Sequence, residues 1–209
     1  SKYLEVYKRV NNHFVETSFT KKCASKLSRL GMIVLIGEQG SGKTSTAVHI
    51  MNSSSYLKWS KHKITSFSEL LVLEFKDKTL IYMDNAFDGF MYHQELYKWW
   101  QSLCYFYFQI FTQRNNIRLL ITAKPNQIEK ACSFVKADVR FMSETCFVRV
   151  DSFPLSEKEK LNILESQIKL ASELKNIETF IVTEKMKDKI KGKTCSIGFP
   201  LCAHLSVSY

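Results

Sequence analysis

Gly37-Glu38-Gln39-Gly40-Ser41-Gly42-Lys43-Thr44 is the segment whose residue types and spacing speak most directly to chemistry. It has the form G-x-x-x-x-G-K-[ST], a loop that cradles a polyphosphate. Gly37, Gly40 and Gly42 let the backbone turn sharply and aim N–H groups at phosphate oxygens. A helix opening directly after the loop adds its positive N-terminal end. Lys43 is placed to reach the β- and γ-phosphates of ATP, and the Thr44 hydroxyl to bind Mg²⁺. The candidate nucleotide-binding set is therefore Gly37, Gly40, Ser41, Gly42, Lys43, Thr44 and Ser45.

A Mg²⁺ site beside such a loop needs a carboxylate at the end of a neighbouring strand. Asp84 follows the apolar run Leu80-Ile81-Tyr82-Met83 and fits that position, making Thr44 and Asp84 the candidate metal ligands. The next residue is Asn85, whose amide cannot take a proton from water, so the usual neighbouring acid for hydrolysis is missing. Lys124 closes another apolar run, Ile117 to Thr122 and then Ala123. In such sheets that strand lies beside the phosphate-loop strand, so a cation there can sense the γ-phosphate. Lys43, Asp84 and Lys124 are the candidate catalytic residues.

These groups must be held by a sheet. Met32-Ile33-Val34-Leu35-Ile36, ending at Gly37, reads as a buried parallel strand. Leu80–Met83, Ile117–Thr122 and Cys146–Val150 read the same way, and Lys63–Phe67 is a weaker strand. Helical character runs from Thr44 to Met51, from His93 to Gln113 and from Asn126 to Val135. Strands alternating with helices predict an α/β fold, a three-layer αβα core with a parallel sheet, over residues 1–152. After Pro154 the character changes. Ser156-Glu157-Lys158-Glu159 is a capping box, and Leu161, Leu164, Ile168 and Ala171 recur at helical spacing. Residues 153–209 are thus predicted to form a small helical lid.

Composition excludes several classes. The chain has 209 residues, 45% of them hydrophobic and 24% charged, as in ordinary globular proteins. No apolar run reaches the ~20 residues that span a bilayer, and no secretory signal opens the chain. Its six cysteines form no C-x-x-C pair, and its five histidines show no metal-binding spacing. Reduced, mostly buried thiols are expected. The net charge of +10 is densest over Lys185–Lys193, where no aromatic side chain is interleaved for base stacking. A solvated lysine-rich surface is the reading favoured over nucleic acid. The chain starts at Ser1 rather than Met, which suggests an excised piece of a longer protein.

Taken in order, these pieces resemble the STAND class of signal-transduction ATPases, and most closely the third type of novel STAND NTPase domain of animal proteins. The resemblance spans roughly residues 14 to 205. Phe14-Val15-Glu16-Thr17 looks like that family's lead-in motif, and Leu80 to Phe87 its D-D-x-F-G form of the Mg²⁺ strand. Leu119 to Lys124 resembles its T-x-R sensor strand, and Leu155 to Leu164 its lid-helix opening. Ser196-Ile197-Gly198-Phe199-Pro200-Leu201 resembles the G-x-P element. The resemblance implies that Val15 and Thr17 lie near the adenine and that Pro200 packs on the base from the lid. Three departures stand out: Asn85 replaces an aspartate, Asp88 intrudes before Gly89, and Lys124 replaces an arginine and so lacks its bidentate fork.

The resemblance further implies a switch. ADP holds lid and core closed, and exchange for ATP releases an arrangement that self-associates and presents effector or sensor modules lying outside this chain. Slow hydrolysis, a cytoplasmic location and a signalling or immune-type role are the accompanying expectations. The chief alternative is an AAA+-like ATPase acting on nucleic acid, for which Arg114, Arg118, Arg140 and Arg149 are the core arginines available as fingers. A kinase is disfavoured because residues 155–209 contain no arginine to close over an acceptor.

Overall fold

The computed structural model describes residues 11–73, 75, 78–86, 116–134, 145–175 and 200. The expected helix from His93 to Gln113 and the lysine-rich stretch Lys185–Lys193 lie outside the described residues.

The continuous apolar runs become central strands, because a strand covered on both faces can be apolar at every position. In β1 (Met32–Ile36) and in β3 (Thr79–Met83) all five side chains are buried. β2 (Ser60–Ile64), β4 (Ile117–Ala123) and β5 (Phe147–Arg149) complete a parallel five-stranded sheet in the order β2-β3-β4-β1-β5. Four of the expected strands coincide with these to within one residue at each end. The weak one does not. It was expected at Lys63–Phe67 but lies at Ser60–Ile64, and Phe67 instead opens α3 (Phe67–Val72). The cause is local. β2 is an edge strand with a mixed exposed and buried pattern, whereas Ser66 accepts the Glu69 N–H at 3.4 Å and starts a helix.

Helix α1 (Ser18–Leu30) buries Phe19, Cys23 and Leu27, spaced by four, against the sheet. Thr17 caps its start by accepting the Thr20 N–H, and Gly31 at φ 79° ends it. Helix α2 (Lys43–Asn52) adds Ala47, Ile50 and Met51 to the same apolar cluster, which takes Ile33 and Leu35 from β1 and Leu120 from β4. Each of the larger side chains, such as Ile50, Met51, Leu35 and Leu120, contributes about 1.5–3 kcal/mol by leaving water. Met32, Val34 and Ile36 alternate with Ile33 and Leu35 and so point to the other face of the sheet, where they too are buried. Helix α4 (Pro125–Phe134) follows β4, with proline in its first turn where a missing N–H costs nothing. Cys23 and Cys146 are both buried, and burial pushes the Cys23 thiol up to about 12.

Helix α5 (Glu157–Lys175), with residues 153–156 before it and Pro200, makes up the described part of the C-terminal unit. Its capping box forms as expected: Ser156 Oγ accepts the Glu159 N–H at 3.2 Å, and Glu159 accepts the Ser156 N–H at 2.8 Å. Ile163, Leu164 and Ile168 pack with Val15 and Leu155. Leu161 and Ala171, expected on the buried stripe, are only half-buried, because the face presented to residues 13–15 is centred on Ile163 and Leu164. Among the described residues no helix is long and apolar enough to cross a membrane.

Candidate functional site

The loop after β1 begins at Gly37, whose N–H bonds to the Ala123 carbonyl at 3.3 Å, so it starts tied to the end of β4. A Cβ at Gly37 would sit 2.8 Å from both Ser41 Oγ and a Val150 methyl, so any side chain there would force one of them to move. Gly40 and Gly42 adopt φ of 75° and 88°, the left-handed region that favours glycine. Gly42 is also the residue preceding α2, so the turn and the helix start share one residue.

Lys43 is 6% exposed and folds back on its own loop. Its Nζ donates to the Glu38 carbonyl at 2.7 Å and lies 3.5 Å from Ser41 Oγ. Burial holds its pKa below the usual lysine value and the nearby Lys124 adds to that, while Glu38 and Asp84 oppose it. The cation is therefore confined, partly desolvated and in reach of an anion arriving over the loop.

Thr44 donates to Asp84 Oδ1 at 3.1 Å. The expectation that Asp84 ends a strand adjoining the phosphate-loop strand needs correction. β4 intervenes between β1 and β3, so Asp84 sits one strand further away. The gap is bridged by Thr122 in β4, which was not singled out from the sequence. Its hydroxyl is fully buried, donates to Asp84 Oδ1 at 2.7 Å and accepts the Asn85 N–H at 2.8 Å. The Ala86 N–H bonds to the Thr122 carbonyl at 3.0 Å, and Asn85 is held at φ 47°. Position was the available signal: Thr122 lies two residues before Lys124, in the sensor-strand pattern already recognised. Lys124 stands where expected, at the end of β4, directly beside β1.

Next to the loop is a cleft of about 210 Å³. Val15 and Thr17 line it from the N-terminal segment, Ser41, Gly42 and Ser45 from the loop and α2, and Ile163, Gln167 and Pro200 from the C-terminal unit. A Cβ at Gly42 would lie 3.5 Å from Pro200 Cγ, which puts this proline against the phosphate loop itself. Phe14 stacks on His49 of α2, with ring centroids 4.2 Å apart, and fixes the lead-in segment to the helix that follows the loop. That contact between residues 35 apart has no local sequence signature. Of the candidate arginines, Arg118 sits at the start of β4, at the opposite end of the strand from the loop, with its guanidinium over Trp59. Arg149 pairs with Ile36 at the loop end, and Arg114 and Arg140 lie outside the described residues.

A glycine-bent loop between the interior strand β1 and a helix, a lysine turned into it, and a threonine–aspartate pair beside it define a P-loop NTPase, a nucleotide-binding domain of the ATPase type. The chain belongs to the family described as Novel STAND NTPase 3, which matches residues 14–170. Its fold is similar to that of NtrX from Brucella abortus (TM-score 0.61, 13% identity, covering 99% of this chain and 53% of that one). A second NtrX structure, in complex with ADP, gives 0.60 at 12% identity, over 98% and 52%. The replication initiator DnaA, bound to AMPPCP and single-stranded DNA, gives 0.55 at 14% identity, over 88% and 59%. The chain thus spans about half the length of these structures. No curated protein matches it.

Proposed function

We propose that this domain is a regulatory nucleotide switch, in which exchange of ADP for ATP controls lid opening and self-association, with slow hydrolysis. One observation carries the reading: one cleft beside the phosphate loop is lined by His13, Phe14, Val15 and Thr17, by the loop, and by α5 and Pro200. An occupant of that cleft touches both the core, residues 1–152, and the lid, residues 153–209. A ligand with different contacts in two arrangements shifts the equilibrium between them.

In this reading Gly37, Gly40, Ser41, Gly42 and Ser45 surround the phosphates with amides and hydroxyls. Lys43 leaves the Glu38 carbonyl for the β- and γ-phosphates, and Lys124 faces the γ-phosphate. Val15, Thr17 and Pro200 hold the base. Thr44 and Asp84 offer a hydroxyl and a carboxylate oxygen 3.1 Å apart, hard donors suited to Mg²⁺. Mg²⁺ held there would neutralise phosphate charge. Asn85 offers no base to activate water, which supports slow turnover. Family membership and the fold of ADP- and AMPPCP-bound neighbours support nucleotide as the ligand. A cytoplasmic signalling protein with effector or sensor modules beyond this chain is the setting that suits such a switch.

The test is to identify the co-purifying nucleotide by chromatography in wild type and in Lys43→Ala. ADP retained by the wild type and lost by the variant, with turnover well below about once per second, supports the switch. Rapid unassisted steady-state hydrolysis of ATP overturns it. The charge of +10 keeps one second reading, an ATPase acting on nucleic acid. Steeply salt-dependent binding of single-stranded DNA would favour it.

A further inference from the structure

We propose that Glu159 is a positioning residue that latches the lid helix to the N-terminus of α1 and so sets how long nucleotide is retained. This rests on the switch reading above.

One oxygen of Glu159 serves the capping box, accepting the Ser156 N–H at 2.8 Å and the Ser156 hydroxyl at 2.9 Å. The other oxygen leaves its own helix altogether. Oε1 accepts the backbone N–H of Ser18 at 2.7 Å, from a residue 141 positions away. Ser18 is the first residue of α1, and its N–H is one of the four donors that no carbonyl of the helix can satisfy. Thr17 supplies a cap for the Thr20 N–H. The start of α1 is therefore capped half from within and half by a carboxylate of the lid, which also suits the positive end of the helix. Bonds from backbone N–H to carboxylate are the stronger, charge-assisted kind.

The place of this bond matters more than its strength. Thr17, one residue before Ser18, lines the cleft, and so do Ile163 and Gln167, one and two turns beyond Glu159. Ser18 and Glu159 themselves do not line it. Further along α5, the seam continues with Ser166 Oγ donating to the His13 carbonyl and His13 Nε2 lying 2.9 Å from Glu173. Moving the lid off the cleft breaks the Ser18–Glu159 bond, yet substituting either residue removes no contact to a bound nucleotide. A change in nucleotide lifetime on breaking the bond is thus an effect of lid position.

The bond can be removed from the α1 side alone. Ser18→Pro deletes the N–H, proline is favoured at the first helical position, and Thr17 already has the extended backbone (φ −104°, ψ 169°) that precedes proline comfortably. Ser18→Ala keeps the N–H and removes only the Ser18 hydroxyl, which also bonds to Glu159, so it separates the side-chain part of the latch from the backbone part. Dissociation of mant-ADP, chased with excess unlabelled ADP in a stopped-flow instrument, is the readout. Ser18→Pro is expected to release it about tenfold faster, the scale of one charge-assisted hydrogen bond. Ser18→Ala, which keeps the backbone bond, is expected to release mant-ADP more slowly than Ser18→Pro, and melting without nucleotide to fall modestly in Ser18→Pro as Glu159 loses that partner. If Ser18→Pro fails to fold, Glu159→Gln takes its place, with faster release again expected. Release at the wild-type rate from a folded variant overturns the latch. A wild-type chain that binds no mant-ADP overturns the switch reading instead.

Discussion

Thr122 donates its hydroxyl hydrogen to Asp84 at 2.7 Å from the neighbouring strand, and the same oxygen accepts the Asn85 N–H. This buried side chain therefore aims the carboxylate towards Thr44 and shapes the turn that leaves β3. Thr122→Val keeps the volume but leaves the Asn85 amide and the carboxylate without their partner. Denaturant unfolding is expected to give a stability loss of about 1–3 kcal/mol, the cost of stranding a buried polar group. Mg²⁺-dependent nucleotide affinity should fall with it, and calorimetry with and without the metal separates the two effects.

Lys43 carries a buried charge whose hydrogen-bonding partners all belong to its own loop. Desolvation already works against it, as the lowered pKa records. Lys43→Met is expected to change the stability of the nucleotide-free chain by less than about 1 kcal/mol, because loss of the bond to Glu38 is offset by relief from burying a cation. Binding of ADP should nevertheless be abolished. Thermal melting with and without ADP measures both outcomes in one experiment.

Asn85 at φ 47° is the one non-glycine residue with positive φ among the described residues. Asparagine visits this region more readily than most side chains. Asn85→Ala is expected to cost about 1 kcal/mol, and Asn85→Gly close to nothing. Asn85→Asp restores an acid beside Asp84, and single-turnover assays should then show faster ATP hydrolysis. An unchanged rate would mean that the missing acid is not what limits turnover.

Glu159 sets an acid limit. Burial raises its pKa, but bonds from Ser18 and Ser156 more than offset that, leaving it below the ordinary 4.5. A carboxylate with a depressed folded-state pKa stabilises the fold at higher pH and loses that contribution as pH falls through its own pKa. The melting temperature should therefore be insensitive to this group above pH 4.5 and decline below it. In Glu159→Gln the decline should be shallower. It should not vanish, because bonds from Thr65 and Ser66 hold Glu69 below the ordinary carboxylate value too.

Much of this site was legible because its signals are local. The phosphate loop is a contiguous run whose glycines answer to backbone angles at Gly40 and Gly42. β1, β3 and β4 announce themselves as unbroken apolar runs, and the capping box at Ser156 spans four residues. The edge strand β2 was misplaced because its half-exposed pattern resembles many loops.

By itself, then, the sequence determined the loop, the helix behind it, the central strands and the start of the lid helix, since each depends on residues close along the chain. Only the tertiary structure decided that β4 separates Asp84 from the loop strand, that Thr122 closes that gap, and that Glu159 reaches Ser18. Those contacts join residues 38 to 141 positions apart, and the free energy of such a pairing depends on strand order and helix placement, which no short pattern encodes.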